Sequence, residues 1–353
     1  MKKNIKIIMI ILLFTFILSA CSINFSLPDI NIKESSETSD LLIYFIDVGQ
    51  ADCTLIELPN GEEVLIDTGN TDDADLVIDT INSLNIDKIE YLILTHPHED
   101  HMGSASDIIK EIEIEKIYIP DIESDAKFYE DAKKVIKSQN IPIIKATAGL
   151  TIIDIPDLTF KVLAPNSMYY SEMNEYSIVS RLEYKNTSFL FTGDAESVSE
   201  LEMVNKGYYL KSDLLHVGHH GGRTSSSKKF LDSVNPKYSI ISVGKDNIYG
   251  HPHEETLKRL KAVGTEIYKI NELGTIIATS DGNKISIISD QLSINDSSAT
   301  NQKVQFIGNK NTRKFHIPNC SSVKTIKEAN RVSFTKRENA VNQGYEPCGS
   351  CKP

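Results

Sequence analysis

At 353 residues the chain has room for one large domain and a small module. Its 40% apolar and 24% charged content is that of an ordinary globular protein, not of a fibrous or wholly disordered one. A formal net charge of −12 argues against binding polyanions through bulk charge alone.

The amino terminus reads as a targeting segment. Lys2, Lys3 and Lys6 form a positive region, and residues 7–18 are almost wholly apolar. That run is short of the roughly 20 residues a membrane span needs. It ends in Leu18-Ser19-Ala20-Cys21, which resembles a bacterial lipobox. Residues 1–20 are then a lipoprotein signal peptide and Cys21 the lipidated first residue of the mature chain; an uncleaved anchor is the alternative. Either way the body lies outside the cytoplasmic membrane, on its extracellular face. Residues 21–40 are polar and read as a flexible tether.

Residues 42–47, 54–58 and 64–66 read as strands, with Pro59-Asn60-Gly61 as a hairpin turn. Residues 72–84 have helical periodicity, and residues 91–94 form a buried strand. Strands are expected at 116–119 and 143–144, flanking a helix over 126–137. Further strands are expected at 158–163, 178–184 and 188–191. Helices over 196–204, 228–234 and 254–263 then alternate with strands at 213–217 and 238–242, and more strands follow to 288. No internal repeat is visible. This pattern supports an α/β domain over residues 41–289.

Residues 290–301 are rich in Ser, Asn and Asp and read as a linker. Residues 302–353 form a separate module with ten Lys or Arg against three Asp or Glu, a charge of +7. Residues 21–301 carry −22. An acidic body is therefore joined to a basic tail. In that tail, His316, Cys320, Cys348 and Cys351 make an H-x3-C…C-x2-C set, which suits a closed tetrahedral zinc site. Zinc would stabilise a module too small for a sizeable core. A Cys348–Cys351 disulfide is the alternative. Cys53 stands alone in a strand-like stretch and reads as a small buried apolar residue.

The densest chemistry is Thr95-His96-Pro97-His98-Glu99-Asp100-His101, directly after the apolar strand at 91–94. Imidazoles and a carboxylate at a strand's C-terminal end suit a divalent metal such as zinc or manganese. This H-x-H-x-D-H run resembles the signature of the metallo-β-lactamase superfamily. The resemblance implies an αββα sandwich, with the small zinc-stabilised module appended. Leu65-Ile66-Asp67-Thr68-Gly69 then places Asp67 as a group that orients the metal loop; an ordinary strand-end Asp is the alternative. Phe191-Thr192-Gly193-Asp194 places Asp194 as the bridging carboxylate; a helix N-cap is the alternative.

Three further stretches narrow the resemblance to the hydrolase domain of ComEC-type DNA-uptake proteins. They are Phe45-Ile46-Asp47-Val48-Gly49-Gln50, the box Gly218-His219-His220-Gly221, and Gly250-His251-Pro252-His253. The opening departs from the family at Ala51, and the His-His-Gly box departs at Gly222-Arg223. No His stands at Asn174-Glu175-Tyr176-Ser177, where many superfamily enzymes carry one. The implied assignment gives His96, His98 and His219 or His220 to one metal. Asp100, His101 and His251 go to a second, with Asp194 between them. His219 is favoured as ligand, leaving His220 as a transition-state donor or orienting residue beside a catalytic Asp100. His253 orients a ligand or starts a helix. The loop Thr224 to Ser227 is a candidate phosphate donor or a solvated loop.

The chemistry implied is hydrolysis by hydroxide shared between two metals. The substrate implied is a phosphodiester, with DNA foremost and the enzyme a nuclease. Another phosphodiester such as a wall or phosphocholine polymer, or an acyl or lactam compound, is the enzymatic alternative. A non-catalytic DNA-capture lipoprotein of competence is the alternative of another class. The tail also resembles the Ada-type zinc-binding module, with His316 where Ada carries Cys. Its basic residues, among them Arg313, Lys314, Lys324, Lys327, Arg331, Lys336 and Arg337, make nucleic acid its expected partner.

Replacing Cys21 with Ala should abolish lipid attachment, read by mass spectrometry of the membrane fraction. An unmodified Cys21 still joined to residues 1–20 would instead identify an uncleaved anchor.

Overall fold

A computed structural model describes residues 40–289 and most of 306–351. The signal peptide, Cys21, the tether, the linker and the positions of Lys336 and Arg337 lie outside the described residues. No helix among the described residues is long and apolar enough to cross a membrane.

The chain first lays down β1 (Leu41–Phe45), β2 (Thr54–Glu57), β3 (Glu63–Ile66), β4 (Lys88–Ile93), β5 (Glu113–Ile119) and β6 (Ile143–Lys145). It then builds a second sheet from β7 (Thr151–Ile155), β8 (Leu158–Ala164), β9 (Val179–Tyr184), β10 (Thr187–Phe191), β11 (Leu214–His216), β12 (Tyr238–Ile241) and β13 (Glu266–Lys269). It finally returns to the first sheet with β14 (Ile276–Ser280) and β15 (Ile285–Ser289). The first sheet runs β15-β14-β1-β2-β3-β4-β5-β6 and the second β13-β12-β11-β10-β9-β8-β7.

Strand alternation sorts the side chains into layers. Ile43 and Phe45 of β1 meet Phe160, Phe189 and Phe191 of the second sheet in one buried cluster between the sheets. Tyr44, Ile46 and Leu65 point the other way. They pack under α1 (Ala74–Ser83), α2 (Glu99–Met102), α3 (Ala105–Glu111) and α4 (Lys127–Gln139). Leu190 and Leu215 form the outer face of the second sheet. That face lies beneath α5 (Ser197–Asn205), α6 (Lys228–Val234) and α7 (Glu254–Ala262). A short helix, α8, spans Ile270–Leu273. The expected αββα sandwich is thus the observed fold.

Several elements have no expectation in the sequence, β7 and α3 among them. The edge strand β7 has one buried residue in five and no clean alternation. The seven-residue α3 is too short for a periodic signal. Cys53 is fully buried, as its apolar neighbourhood requires. In the carboxy-terminal part, β16 (Phe306–Asn309), β17 (Lys314–His316), β18 (Arg331–Phe334) and β19 (Glu346–Pro347) form a sheet ordered β18-β16-β17-β19.

The parallel strands β3, β4 and β5, and β10, β11 and β12, end on loops that carry the chemistry. Buried carboxylates brace those loops. Glu200 of α5 is 2% exposed and accepts the Ser227 amide at 2.8 Å, fixing the start of α6. Burial pushes its carboxyl from 4.5 up to about 7, although the Ser226 and Ser227 amides pull the other way. A raised native value means the folded state holds the proton more tightly. The associated stability is complete below about pH 4.5 and is lost as pH rises through 7. Urea unfolding from pH 5 to 8 should show the wild type losing on the order of 2 kcal/mol relative to Glu200→Gln. Parallel curves for the two proteins would refute a native Glu200 carboxyl shifted upward.

Candidate metal centre

The site forms where loops from the two sheets meet. After β4, the backbone turns through His96 and His98 into α2, which carries Asp100 and His101. After β10, Gly193 (φ 49°) turns the chain so that Asp194 faces the histidines. A Cβ on Gly193 would sit 2.9 Å from the Thr95 Cβ, so the two loops interlock there.

Two donor groups result around Asp194. His96, His98 and Asp194 converge in one, and Asp100, His101 and His220 in the other, with ligand atoms within 4.8 Å inside each group; a third, buried set, Asp52 with Asp67 and His101, shares His101 with the second. The Asp194 carboxylate divides between them. Its Oδ2 lies 3.9 Å from His96 Nε2 and 3.8 Å from His219 Nε2. Its Oδ1 lies 3.3 Å from His101 Nε2 and 3.9 Å from His220 Nε2. His220 Nε2 is also 3.2 Å from Asp100 Oδ2.

This grouping differs from the expected one at two residues. His220, expected as a transition-state donor or orienting residue, is 2% exposed and sits in the donor group with Asp100 and His101. His251, expected in that group, lies outside it; its ring stacks on His220 at 6.1 Å. His219 faces the other oxygen of Asp194. The reason is local: His219 and His220 both adopt left-handed backbone (φ 53° and 50°), which sends consecutive side chains to opposite groups. Gly221 (φ 79°) permits this turn, and a Cβ there would lie 2.6 Å from Pro252 Cβ. His253 begins α7, with its ring edge against His251 at 4.8 Å.

An orienting partner sits behind most of the imidazoles. His101 Nδ1 donates to Asp67 Oδ2 at 2.8 Å, and Asp67 also accepts the Thr95 amide and hydroxyl, each at 2.7 Å. His220 Nδ1 is 3.0 Å from the Ser242 carbonyl oxygen. His219 Nδ1 is 3.0 Å from Glu196 Oε1. His96 Nδ1 is 3.3 Å from Ser177 Oγ, which also accepts the Asp194 amide at 3.1 Å.

Asn174 to Ser177, where a His is absent, therefore contributes in other ways. Asn174 donates to Glu196 at 3.2 Å, and Glu175 accepts the amides of Glu196, Val198 and Ser199 at the start of α5. Glu196, Ser177 and Ser242 were missed in the sequence; only the closeness of Glu196 to Asp194 hints at a role. In the stretch Thr224 to Ser227, Thr224 is exposed and Ser225 and Ser226 are buried. Thr224 donates to Glu196, Ser225 is buried and donates to Gly218 O, and the Ser226 and Ser227 amides go to Glu200.

The electrostatics fit divalent cations. His101 Nε2 and Asp194 Oδ1 are buried with no hydrogen-bond partner among the described residues, a costly state that a cation between them would relieve. Burial holds His96 well below the usual imidazole range, and His98 below it, leaving both neutral. Burial opposes charge on His101 and His220. Asp194 with Asp67 and Asp100 nevertheless holds His101 well above its ordinary value, and Asp194 with Asp100 pushes His220 up to about 9. Asp100 and Asp194 stay ionised despite burial because the histidines offset it. Without metal, protons supply the positive charge that these carboxylates demand; metal binding would displace them.

In the carboxy-terminal sheet, His316, Cys320, Cys348 and Cys351 bring their ligand atoms within 4.8 Å of one another. His316 ends β17 and Cys348 follows the adjacent β19, with its amide donating to Phe315 O at 2.9 Å. No disulfide joins Cys348 to Cys351. Burial, helped by Lys314, lowers His316 and keeps it a neutral ligand.

Residues 46–245 match the Metallo-beta-lactamase superfamily model, and residues 291–353 match the Metal binding domain of Ada. The chain is 31% identical over 248 residues to ComE operon protein 3 of Bacillus subtilis, covering 65% of this chain and 32% of that protein. It is 32% identical over 219 residues to Recombination protein 2 of Haemophilus influenzae, covering 61% and 26%. Against Competence protein ComA of Neisseria gonorrhoeae it is 29% identical over 232 residues, covering 65% and 31%. The chain spans about a third of the length of these relatives.

Asp67→Asn should weaken metal binding about 10- to 100-fold. An amide nitrogen turned to His101 Nδ1 would drive the ring proton onto Nε2, the atom that faces Asp194. Zinc titration against a competing chelator would read this directly. Wild-type affinity in the variant would remove Asp67 from its orienting role.

Proposed function

The chain belongs to the metallo-β-lactamase superfamily, and on that premise we propose that it is a lipid-anchored, extracellular, metal-dependent phosphodiesterase acting on nucleic acid. The observation carrying the hydrolase reading is the shared Asp194 carboxylate, with one oxygen turned to each donor group. His96, His98, His219 and Asp194 would hold one divalent ion, and Asp100, His101, His220 and Asp194 the other. Such a pair lowers the pKa of bound water from about 15.7 to about 7 and stabilises charge on the attacked oxygen.

The protein's own groups set the geometry. Asp67, Glu196 and the Ser242 carbonyl fix the tautomers and ring planes of His101, His219 and His220. The cleft over the donors has a volume of about 520 Å³ and is bordered by Gln50, Asn70, Asn174 and Tyr249. Among the described residues lining it there is no Lys or Arg. Attraction for a phosphate therefore falls on the bound ions and on the basic carboxy-terminal module. In that module Arg331 spends its guanidinium on Val323 O and Ile326 O, whereas Lys314, Lys324 and Lys327 are exposed. The choice of DNA within this reading is supported by relatives named for competence and recombination.

The purified chain, loaded with zinc or manganese, should cleave single-stranded DNA or RNA and bis-p-nitrophenyl phosphate but not a cephalosporin. Asp100→Ala should lose that activity. Deleting residues 302–353 should weaken DNA binding and flatten its salt dependence while small-diester turnover persists. Cephalosporin turnover alone would replace the phosphodiesterase reading with the lactam one. DNA binding with no turnover of any substrate would leave a capture protein.

A further inference from the structure

The cleft mouth carries an aromatic that the donor geometry does not use. Tyr249 is 61% exposed, and its neighbour Ile248 is 93% exposed. One face of the Tyr249 ring lies against His251, with centroids 5.7 Å apart and planes 24° apart. His251 in turn stacks on His220, at 6.1 Å and 28°. His220, His251 and Tyr249 thus make a run of successively stacked rings leading out from the donor groups.

The loop that presents Tyr249 is pinned at both ends. Asn247 accepts the His251 amide at 2.9 Å and donates to the carbonyls of His251 (2.8 Å) and Gly244 (3.1 Å). Gln50 accepts the Gly244 amide at 3.1 Å, and its Nε2 is 3.5 Å from His251 Nδ1. The exposed ring is therefore pre-positioned, and little ordering entropy is lost when a planar group lands on it.

We propose that Tyr249, backed by His251, is a stacking platform for an unpaired nucleobase beside the phosphodiester held at the donor groups, so that the site takes single-stranded nucleic acid in preference to duplex. This rests on the phosphodiesterase reading above. A base within a duplex has both faces covered by its neighbours and cannot offer one to Tyr249. A ring platform accepts any base because every base has a π-face, so this contact recognises a base by stacking rather than by its edge.

The test uses the full metal-loaded chain as wild type, Tyr249→Phe and Tyr249→Ala, each checked for metal content. Substrates are a single strand, its duplex, and the same strand with an abasic site next to the scissile linkage. Wild type and Tyr249→Phe should favour the base-bearing single strand over both others by about tenfold, expressed in KM. Tyr249→Ala should lose the preference over the abasic strand. If Tyr249→Ala keeps that preference, the platform is overturned while the phosphodiesterase reading stands. If the wild type cleaves no diester, that reading fails, and the platform is judged on binding alone. Quenching of a 2-aminopurine strand by wild type and Tyr249→Phe but not by Tyr249→Ala then upholds it; equal quenching by all three overturns it.

Discussion

Asp194 is the residue on which the rest of the site depends. It is 2% exposed, and it is ionised because the imidazoles around it offset the cost of burial. Those imidazoles come from both sheets: His96 and His101 follow β4, and His219 and His220 follow β11. Neither sheet holds a complete donor set. The site therefore exists only when the apolar layer between the sheets, built around Phe45, Phe160 and Phe191, sets their separation. The amide of Ile178, just before β9, donates to Thr95 O at 3.0 Å and ties the loop after β4 to the second sheet through the backbone.

Around this carboxylate the polar groups are arranged in two tiers. The inner imidazole nitrogens face Asp194 or Asp100; the outer ones face Asp67, Glu196, Ser177 or a backbone carbonyl. In a medium of low effective dielectric such an arrangement is stable only if nearly every member is satisfied. Among the exceptions, His101 Nε2 and Asp194 Oδ1 lie 3.3 Å apart, face to face, where a cation fits. Selection for metal binding and selection against buried unpaired groups act here on the same atoms.

Much of this was legible in the sequence because strand ends announce themselves. Apolar runs ending near His96, Asp67 and Asp194 marked strands with polar ends, and the superfamily resemblance then implied the two-sheet sandwich and the roles of those residues. Direction was harder to read. Spacing alone cannot say which of two adjacent histidines turns to which group when both leave the ordinary backbone regions. The orienting tier was hidden for a different reason. Glu196 and Ser177 are common residues in polar stretches, and their value arises from atoms brought close by packing rather than from any local pattern. The serines after the His-His-Gly box misled in the opposite sense: they look like substrate donors but serve as internal supports.

The order of strands in the first sheet bears on how the protein is made. Leu41 of β1 pairs with Ser280 of β14, so the sheet's first strand acquires its second neighbour only near the end of the domain. All the inner donors have been synthesised by His220, yet the sheet carrying half of them still lacks two strands at that point. Closing so distant a pair makes folding slow and all-or-none rather than progressive. A chain emerging from its N-terminus would thus expose histidines and carboxylates before it could arrange them, and metal capture becomes a final act of folding.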